Sequence, residues 1–199
     1  MVAIVVDGKG HVAGRLAAAL AKLLLNGKQI VVVRAEEIVT NGDHRFNYHK
    51  YRRFLHKRTN TNPRDGPFHQ RAPSEMFLRT VRGMCDYKTA RGAQAFANLK
   101  VFEGVPPKYA NSTKLVIPHA LRVVSIHHER PTTSLGKLAT TFGWKYGGIV
   151  ESLEKQRIEA ANEKHKEAQA QRKAYTQALA QANKQLGEQA VKFLDTFVE

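Results

Sequence analysis

The chain has 199 residues, 42% of them hydrophobic, which is enough for one buried core and a further segment. It carries 32 Lys and Arg against 17 Asp and Glu, for a net charge of +15 and an isoelectric point near 10.1, a balance that points to a polyanionic partner. Cys85 is the only cysteine, which excludes an internal disulfide and makes a reducing compartment the natural setting; no apolar run approaches the ~18 residues of a membrane span.

The first residues, MVAIVVDGKG, lack the cationic leader and cleavage pattern of a signal peptide and read as a strand over 3–7. HVAGRLAAALAKLLLNGK then has leucines and alanines at helical spacing, with Asn26-Gly27 as a stop. His11, Arg15, Lys22 and Asn26 form a polar stripe on that helix. QIVVVR (29–34) is a continuous apolar run, as expected of a strand covered on both faces. Strand, helix and strand in so short a span predict a βαβ unit with a parallel sheet.

After Arg34 the chain changes character. AEEIV reads as a helical turn and TNGD as a tight turn. NYHKYRRFLHKR (47–58) reads as an amphipathic helix. Tyr48, Tyr51 and Leu55 share a stripe with Phe54 at its edge, and Lys50, Arg53 and Lys57 face the other way. TNTNPRDGP is a polar loop. APSEMFLRTVRGM (72–84) predicts a helix with Met76, Phe77, Val81 and Met84 on one side, Arg79 and Arg82 off it, and Ser74 placed to cap it. TARGAQAFANL (89–99) is a further helix, followed by the strand-like KVFEG, KLVIP and LRVVSI. From Tyr146 the composition turns to Ala, Glu, Gln and Lys, which predicts a long exposed helix with apolar residues too sparse for a coiled coil. Gly187 is expected to break it, leaving AVKFLDTFV as a short amphipathic end.

The charge is unevenly placed. Residues 1–150 hold 24 Lys and Arg against 9 Asp and Glu (24 − 9 = +15), whereas residues 151–199 hold 8 of each (8 − 8 = 0). Within 44–71 there are 8 Lys and Arg, 4 His and a single acid, Asp65. A basic run is often only a solvated face. Cations interleaved with flat rings favour nucleic acid instead, since Arg and Lys hold phosphates and aromatic rings can stack on unpaired bases. Tyr48, Tyr51 and Phe54 lie on the less charged face, where ordinary core packing is the competing use.

Enzyme chemistry finds little support. VVDGKGHVAGRLA invites a dinucleotide reading with Glu36 or Glu37 as the ribose acid. Its glycines, Gly8, Gly10 and Gly14, stand one residue wider than the fingerprint. A tight turn with close backbone approach to a neighbour is the other use of those glycines, and a helix start there would favour a phosphate. There is no P-loop and no nucleophile elbow. The histidines lack metal-ligand spacing, Cys85 reads as a small buried side chain, and acids are too few for a catalytic carboxylate pair. No cofactor and no metal are expected.

Two blocks, VVDGKGHVAGRLA and VRGMCDYKTARGAQAFANLKVFEGVPPKY (81–109), resemble the large-subunit ribosomal protein thirteen family over about residues 2–125. TNPRDGPFHQRAPSEMF, VIPHALRV and the Ala/Glu/Lys-rich tail resemble its eukaryotic form. Cys85-Asp86 departs from the Leu-Pro common after the methionine. The resemblance implies a three-layer α/β/α fold with a parallel sheet of about four strands and a long C-terminal helical extension. It also implies a structural role in the large subunit, binding ribosomal RNA and supporting assembly and translation, with no enzymatic activity. Carried onto this chain, the RNA-facing residues are Arg15, Lys50, Arg52, Arg53, Lys57, Arg58, Arg64, Arg71, Arg82, Lys88 and Arg91. The expected organisation is an RNA-binding domain over 1–145 with a basic insertion at 44–71, then a helical extension over 146–199 that reaches toward neighbouring ribosomal proteins or peripheral RNA. The expected location is the cytoplasmic ribosome, with nucleolar passage during assembly, and neither membrane nor small-molecule substrate is implied. A nucleotide-binding α/β enzyme built on the Gly8–Gly14 turn is the alternative.

Overall fold

Strands β1 (Ile4–Asp7) and β2 (Ile30–Val33) run parallel, Ile4 opposite Ile30, and helix α1 (Ala13–Leu25) connects them. This computed structural model describes residues 3–198. Strand β4 (Leu99–Val101) extends the sheet on the far side of β2, giving the order β1-β2-β4. Leu115 holds the next position beside β1 by a single parallel bridge to Val6.

Side-chain alternation along the strands separates two cores. Val6, Ile30 and Val32 pack with Leu16, Leu20 and Leu24 of α1, and with Phe77 and Val81 of helix α3 (Pro73–Arg82). Val5, Val31 and Val33 point the other way, under Phe102, Val105 and Tyr109. That second face is covered by a loop and the single 3₁₀ turn Pro107–Tyr109. At the strand ends, Arg34 adopts a left-handed conformation (φ 57°) and grips Asp7 through Nε and Nη2. Burial alone would raise the Asp7 carboxyl. The Arg34 hydrogen bond, the Lys9 amide and the Arg34 charge outweigh it and hold the group below the ordinary carboxylate range.

A second sheet pairs β3 (Val39–Asn41) antiparallel with β5 (Thr132–Ser134). Helix α2 (His44–Leu55) follows β3, and α6 (Leu135–Thr141) follows β5. Helix α4 (Ala90–Ala97) leads into β4. The Arg91-Gly92 pair owes its glycine to packing: a Cβ at Gly92 would lie 1.9 Å from the Asp86 carbonyl oxygen. Cys85 is buried beside that turn, and burial raises its thiol pKa.

Several local expectations change. LRVVSI is not a strand; helix α5 (Arg122–Ser125) occupies it, closed by the Ser125 hydroxyl donating to the His119 carbonyl. Val123 is 91% exposed, so no neighbouring strand is present to convert its β-propensity into a ladder. Helix α3 is capped from a distance: Ser74 lies inside it, and its amide and hydroxyl both donate to Glu103 Oε1, at 3.2 and 2.6 Å. Met84 falls beyond the end of α3 and is exposed. His11 leaves the polar stripe of α1, because it precedes the helix and is fully buried.

The chain divides into two compact units, Met1–Ser152 and Leu153–Glu199. Helix α7 (Gly147–Val198) supplies the whole of the second. It runs through Gly187 without a break, and residues 158–185 are all exposed. Within this unit Arg157 Nη2 donates to Glu154 Oε1 at 2.7 Å. Of the amphipathic end expected at 190–198, the side chains of 191–198 lie outside the described residues.

Candidate nucleic-acid interface

The basic helix is built from its N-terminus. Asp43 accepts from the His44 amide at 2.7 Å. Asn47, buried in the first turns, directs its amide nitrogen at the carbonyls of Asn41, Gly42 and Asp43 and at the Thr133 hydroxyl. The two Asn47 protons are shared among those acceptors, and Thr133 in turn donates to the Gly42 carbonyl. The helix is thereby tied to the β3–β5 pair.

One face of α2 then packs inward, as its spacing predicts. Tyr48 stacks on Phe142 with ring centroids 5.0 Å apart and planes 7° apart, and Tyr51 meets the same ring at 4.9 Å. The Tyr51 hydroxyl donates to the Gln70 carbonyl. Burial raises its pKa, partly opposed by the charges of Arg79 and Arg71. Phe54 is held between the Arg79 guanidinium, 3.6 Å above its centroid, and the edge of His69 at 4.8 Å. These rings are used up by the fold and are not free to stack on bases.

Lys50 and Arg53 lie on the opposite face, Arg45 and Arg52 flank the packed one, and all four are exposed. Helix α2 ends at Leu55 with His56 as its C-cap, so Lys57 and Arg58 continue the basic surface past the helix and not along its face. Arg64 lies in the 3₁₀ turn Pro63–Asp65, where the Asn62 side chain accepts from its amide at 3.2 Å. Arg71 precedes α3 and Arg82 ends it, with the Arg82 guanidinium 4.8 Å above the Tyr87 ring. Lys88 stands just before α4. Arg91, in the first turn of α4, donates to the Leu25 carbonyl at 3.3 Å and so reaches the C-terminal end of α1. Arg15 lies apart from the others on α1. All eleven predicted cations are exposed, and none forms a salt bridge among the described residues. Eleven exposed cations without a salt-bridge partner suit contact with a phosphate backbone.

The Gly8–Gly14 turn does different work. The amides of residues 8 through 12 all donate within the chain: Gly8 to Val33, Lys9 to Asp7, Gly10 to Glu37, His11 to Gly8 and Val12 to Ala120. A Cβ at Gly8 would lie 2.9 Å from the Val33 carbonyl oxygen and 2.9 Å from Ile38 Cγ1, the close approach that glycine permits. Glu36 accepts from the Gly104 amide and Glu37 pairs with Lys9. Those five amides and both acids are therefore already engaged where a dinucleotide would need them.

Arg79 and Asn47 are the site residues that sequence reasoning missed. Arg79 has the same three-residue spacing to Arg82 as any exposed pair on a helix, and its seat on Phe54 depends on a contact between α2 and α3. A polar Asn in the first turns of a helix carries a weak signal for side-chain bonding back to the preceding turn.

A family model described as Ribosomal protein L13 matches residues 2–108. The chain is also 43% identical over 190 residues to the large ribosomal subunit protein uL13 of Spodoptera frugiperda, covering 96% of this chain and 89% of that one. The second match extends well past the first, into the C-terminal segment.

Proposed function

Because the chain belongs to the ribosomal protein L13 family, we propose that it serves as a structural constituent of the large ribosomal subunit, bound to ribosomal RNA. It is a component of the translation machinery and not an enzyme, associated with ribosomal RNA and ribosomal proteins at the ribosome. The observation that carries this is the match over nearly the whole chain, and the exposed cations of the first unit agree with it. The nucleotide-enzyme alternative lacks support, since the amides and acids it needs are spent inside the fold.

The RNA-facing set in this reading is Arg15, Lys50, Arg52, Arg53, Lys57, Arg58, Arg64, Arg71, Arg82, Lys88 and Arg91. Recognition goes mainly through backbone shape, because side chains do not read the narrow major groove of A-form RNA. The 1–145 region with its 44–71 insertion acts as the RNA-binding domain. The 146–199 extension, with its equal counts of acids and bases, meets neighbouring ribosomal proteins. Assembly takes the protein through the nucleolus before it works in the cytoplasm.

The test is sedimentation of a lysate through a sucrose gradient, with immunodetection of this chain before and after a wash at about 0.5 M salt. Stoichiometric migration with the large subunit through the wash is expected. Accumulation at the top of the gradient in low salt would overturn the reading.

A further inference from the structure

Between α2, segment 67–70 and helices α3 and α4 lies a cavity of about 580 Å³. That is within the roughly 300–1,000 Å³ of small-molecule sites. Its wall includes Tyr51, Phe54, Phe68, Glu75, Arg79 and Arg82. Phe68 is 78% exposed. Its ring stands at the mouth of the cavity, where an incoming group would bury it. The rings deeper in the wall are already engaged, Tyr51 with Phe142 and Phe54 with Arg79. Phe96 is half-buried on the same wall, so Phe68 is the exposed ring and the platform for an incoming flat group. Arg79 and Arg82 place two guanidinium groups on the same wall, and neither forms a salt bridge among the described residues. They disfavour a cationic occupant and favour one that brings negative charge.

We propose that this cavity receives one unpaired nucleobase, a guanine, stacked on Phe68 with its phosphate toward Arg79 and Arg82. The base identity follows from Glu75, the one acid on the wall. An ionised carboxylate only accepts hydrogen bonds, and guanine presents two adjacent donors, N1–H and N2–H, that a carboxylate can receive together. Uracil offers a single N–H between two carbonyls, which a carboxylate repels. The proposal deepens the RNA-binding reading and rests on it for the source of the base: a bulged or looped-out guanine in an RNA that the surrounding cations hold by its backbone.

The experiment uses the full chain with ¹³C-labelled methionine methyls. Met76 lines the cavity, whereas Met84 is exposed and not part of its wall, so it reports nonspecific effects. Guanosine 5′-monophosphate should shift Met76 saturably at millimolar concentration and leave Met84 unmoved. Phe68→Ala, a change at an exposed position that leaves the core intact, should weaken binding roughly 5–150-fold. Glu75→Gln should abolish the preference for the guanine nucleotide over the uridine one. A silent Met76 at about 20 mM nucleotide, equal shifts of both methyls, or indifference to Phe68→Ala would each overturn the proposal. So would a Met76 response to N-acetylphenylalanine amide alone, which would assign the cavity to a partner protein's side chain. A second arm compares a fully paired RNA hairpin with the same hairpin carrying one bulged guanine. Phe68→Ala should erase the preference for the bulge and spare binding to the paired form. Failure of the wild type to bind either hairpin would count against the RNA-binding reading itself, whereas equal binding of both with a silent Met76 would sink the cavity proposal alone.

Discussion

Helices α1 and α7 are both rich in alanine and strong helix formers, yet they are held by different means. In α1 the buried residues Ala13, Leu16, Ala17, Leu20, Ala21 and Leu24 recur every three or four positions and pack one face into the main core. Residues 158–185 of α7 are exposed on every side, and what they share with α1 is propensity alone, supplemented by i,i+4 side-chain contacts such as Gln169 Nε2 with His165 Nε2 at 2.9 Å. Intrinsic helix preference is therefore uninformative about burial. The spacing of the large apolar residues is what separates a core helix from one that awaits a partner. The charge divides in a similar way: residues 1–150 carry the whole net +15, and residues 151–199 are balanced.

The sharpest way to break that contrast is a truncation of one leucine in each helix. Leu20→Ala should cost about 2–5 kcal/mol, since it opens a cavity at a fully buried site. Leu179→Ala should stay within about 0.5 kcal/mol of wild type. Urea unfolding measures both. A comparable loss at Leu179 would mean that α7 is packed against something in the free protein and that its exposure has been misread.

The charge contrast is tested by two triple reversals. Arg52→Glu, Arg53→Glu and Lys57→Glu together should weaken binding to a ribosomal RNA fragment by roughly 10²-fold and lower the salt slope by about 3. Lys164→Glu, Lys166→Glu and Lys173→Glu in α7 should leave both unchanged. Circular dichroism should be that of wild type in each case, because all six side chains are exposed. Loss of the folded spectrum in the first variant would show that the outer face of α2 has been assigned wrongly, and an equal loss of affinity in the second would make the tail an RNA contact.

A third difference lies in what each unit buries. His11 is fully enclosed, with Nε2 accepting from the Ile117 amide at 3.1 Å and Nδ1 3.0 Å from the Lys9 carbonyl, so the neutral ring carries its proton on Nδ1. Burial holds its pKa below the ordinary value of 6.5, opposed by the Lys9 contact and the Asp7 charge. The unfolded chain then takes up this proton at higher pH than the fold does. The His11 contribution is complete above about pH 6.5 and is lost as pH falls below it toward the folded value. Denaturant midpoints between pH 8 and 5 should decline on the acid side, less steeply in His11→Gln. An unchanged slope in that variant would remove His11 as the cause.

Much of this is legible in the sequence. The βαβ unit, the inward stripe of Tyr48, Tyr51 and Leu55 and the length of α7 follow from periodicity, which depends on neighbours a few residues away. What escaped depends on partners far along the chain. Ser74 reads as the cap of α3, but its hydroxyl serves Glu103, 29 residues on. LRVVSI has the composition of a strand and no strand to pair with. At the interface, exposure of the eleven cations could be expected from charge density, whereas Arg79 on Phe54 could not, since nothing local distinguishes Arg79 from Arg82.

Gly187 shows the same limit on a smaller scale, and it gives the smallest predicted effect. In sequence a glycine followed by an apolar run reads as a helix end. Whether it acts as one depends on whether the backbone there has a better conformation to adopt, and in α7 it stays helical with open space around it: a Cβ would meet nothing within 4 Å. Gly187→Ala should therefore stabilise the helix by about 0.5–1 kcal/mol, because alanine has less backbone freedom to lose. Gly8→Ala, the same substitution in the other unit, should destabilise, since its Cβ would press on the Val33 carbonyl and Ile38. Helical ellipticity at increasing temperature reads the first and urea unfolding the second. Opposite signs would confirm that the two glycines are kept for unrelated reasons, Gly8 for space and Gly187 for nothing within the free chain. A loss of helix on Gly187→Ala would show that α7 needs flexibility at that turn even before a partner arrives.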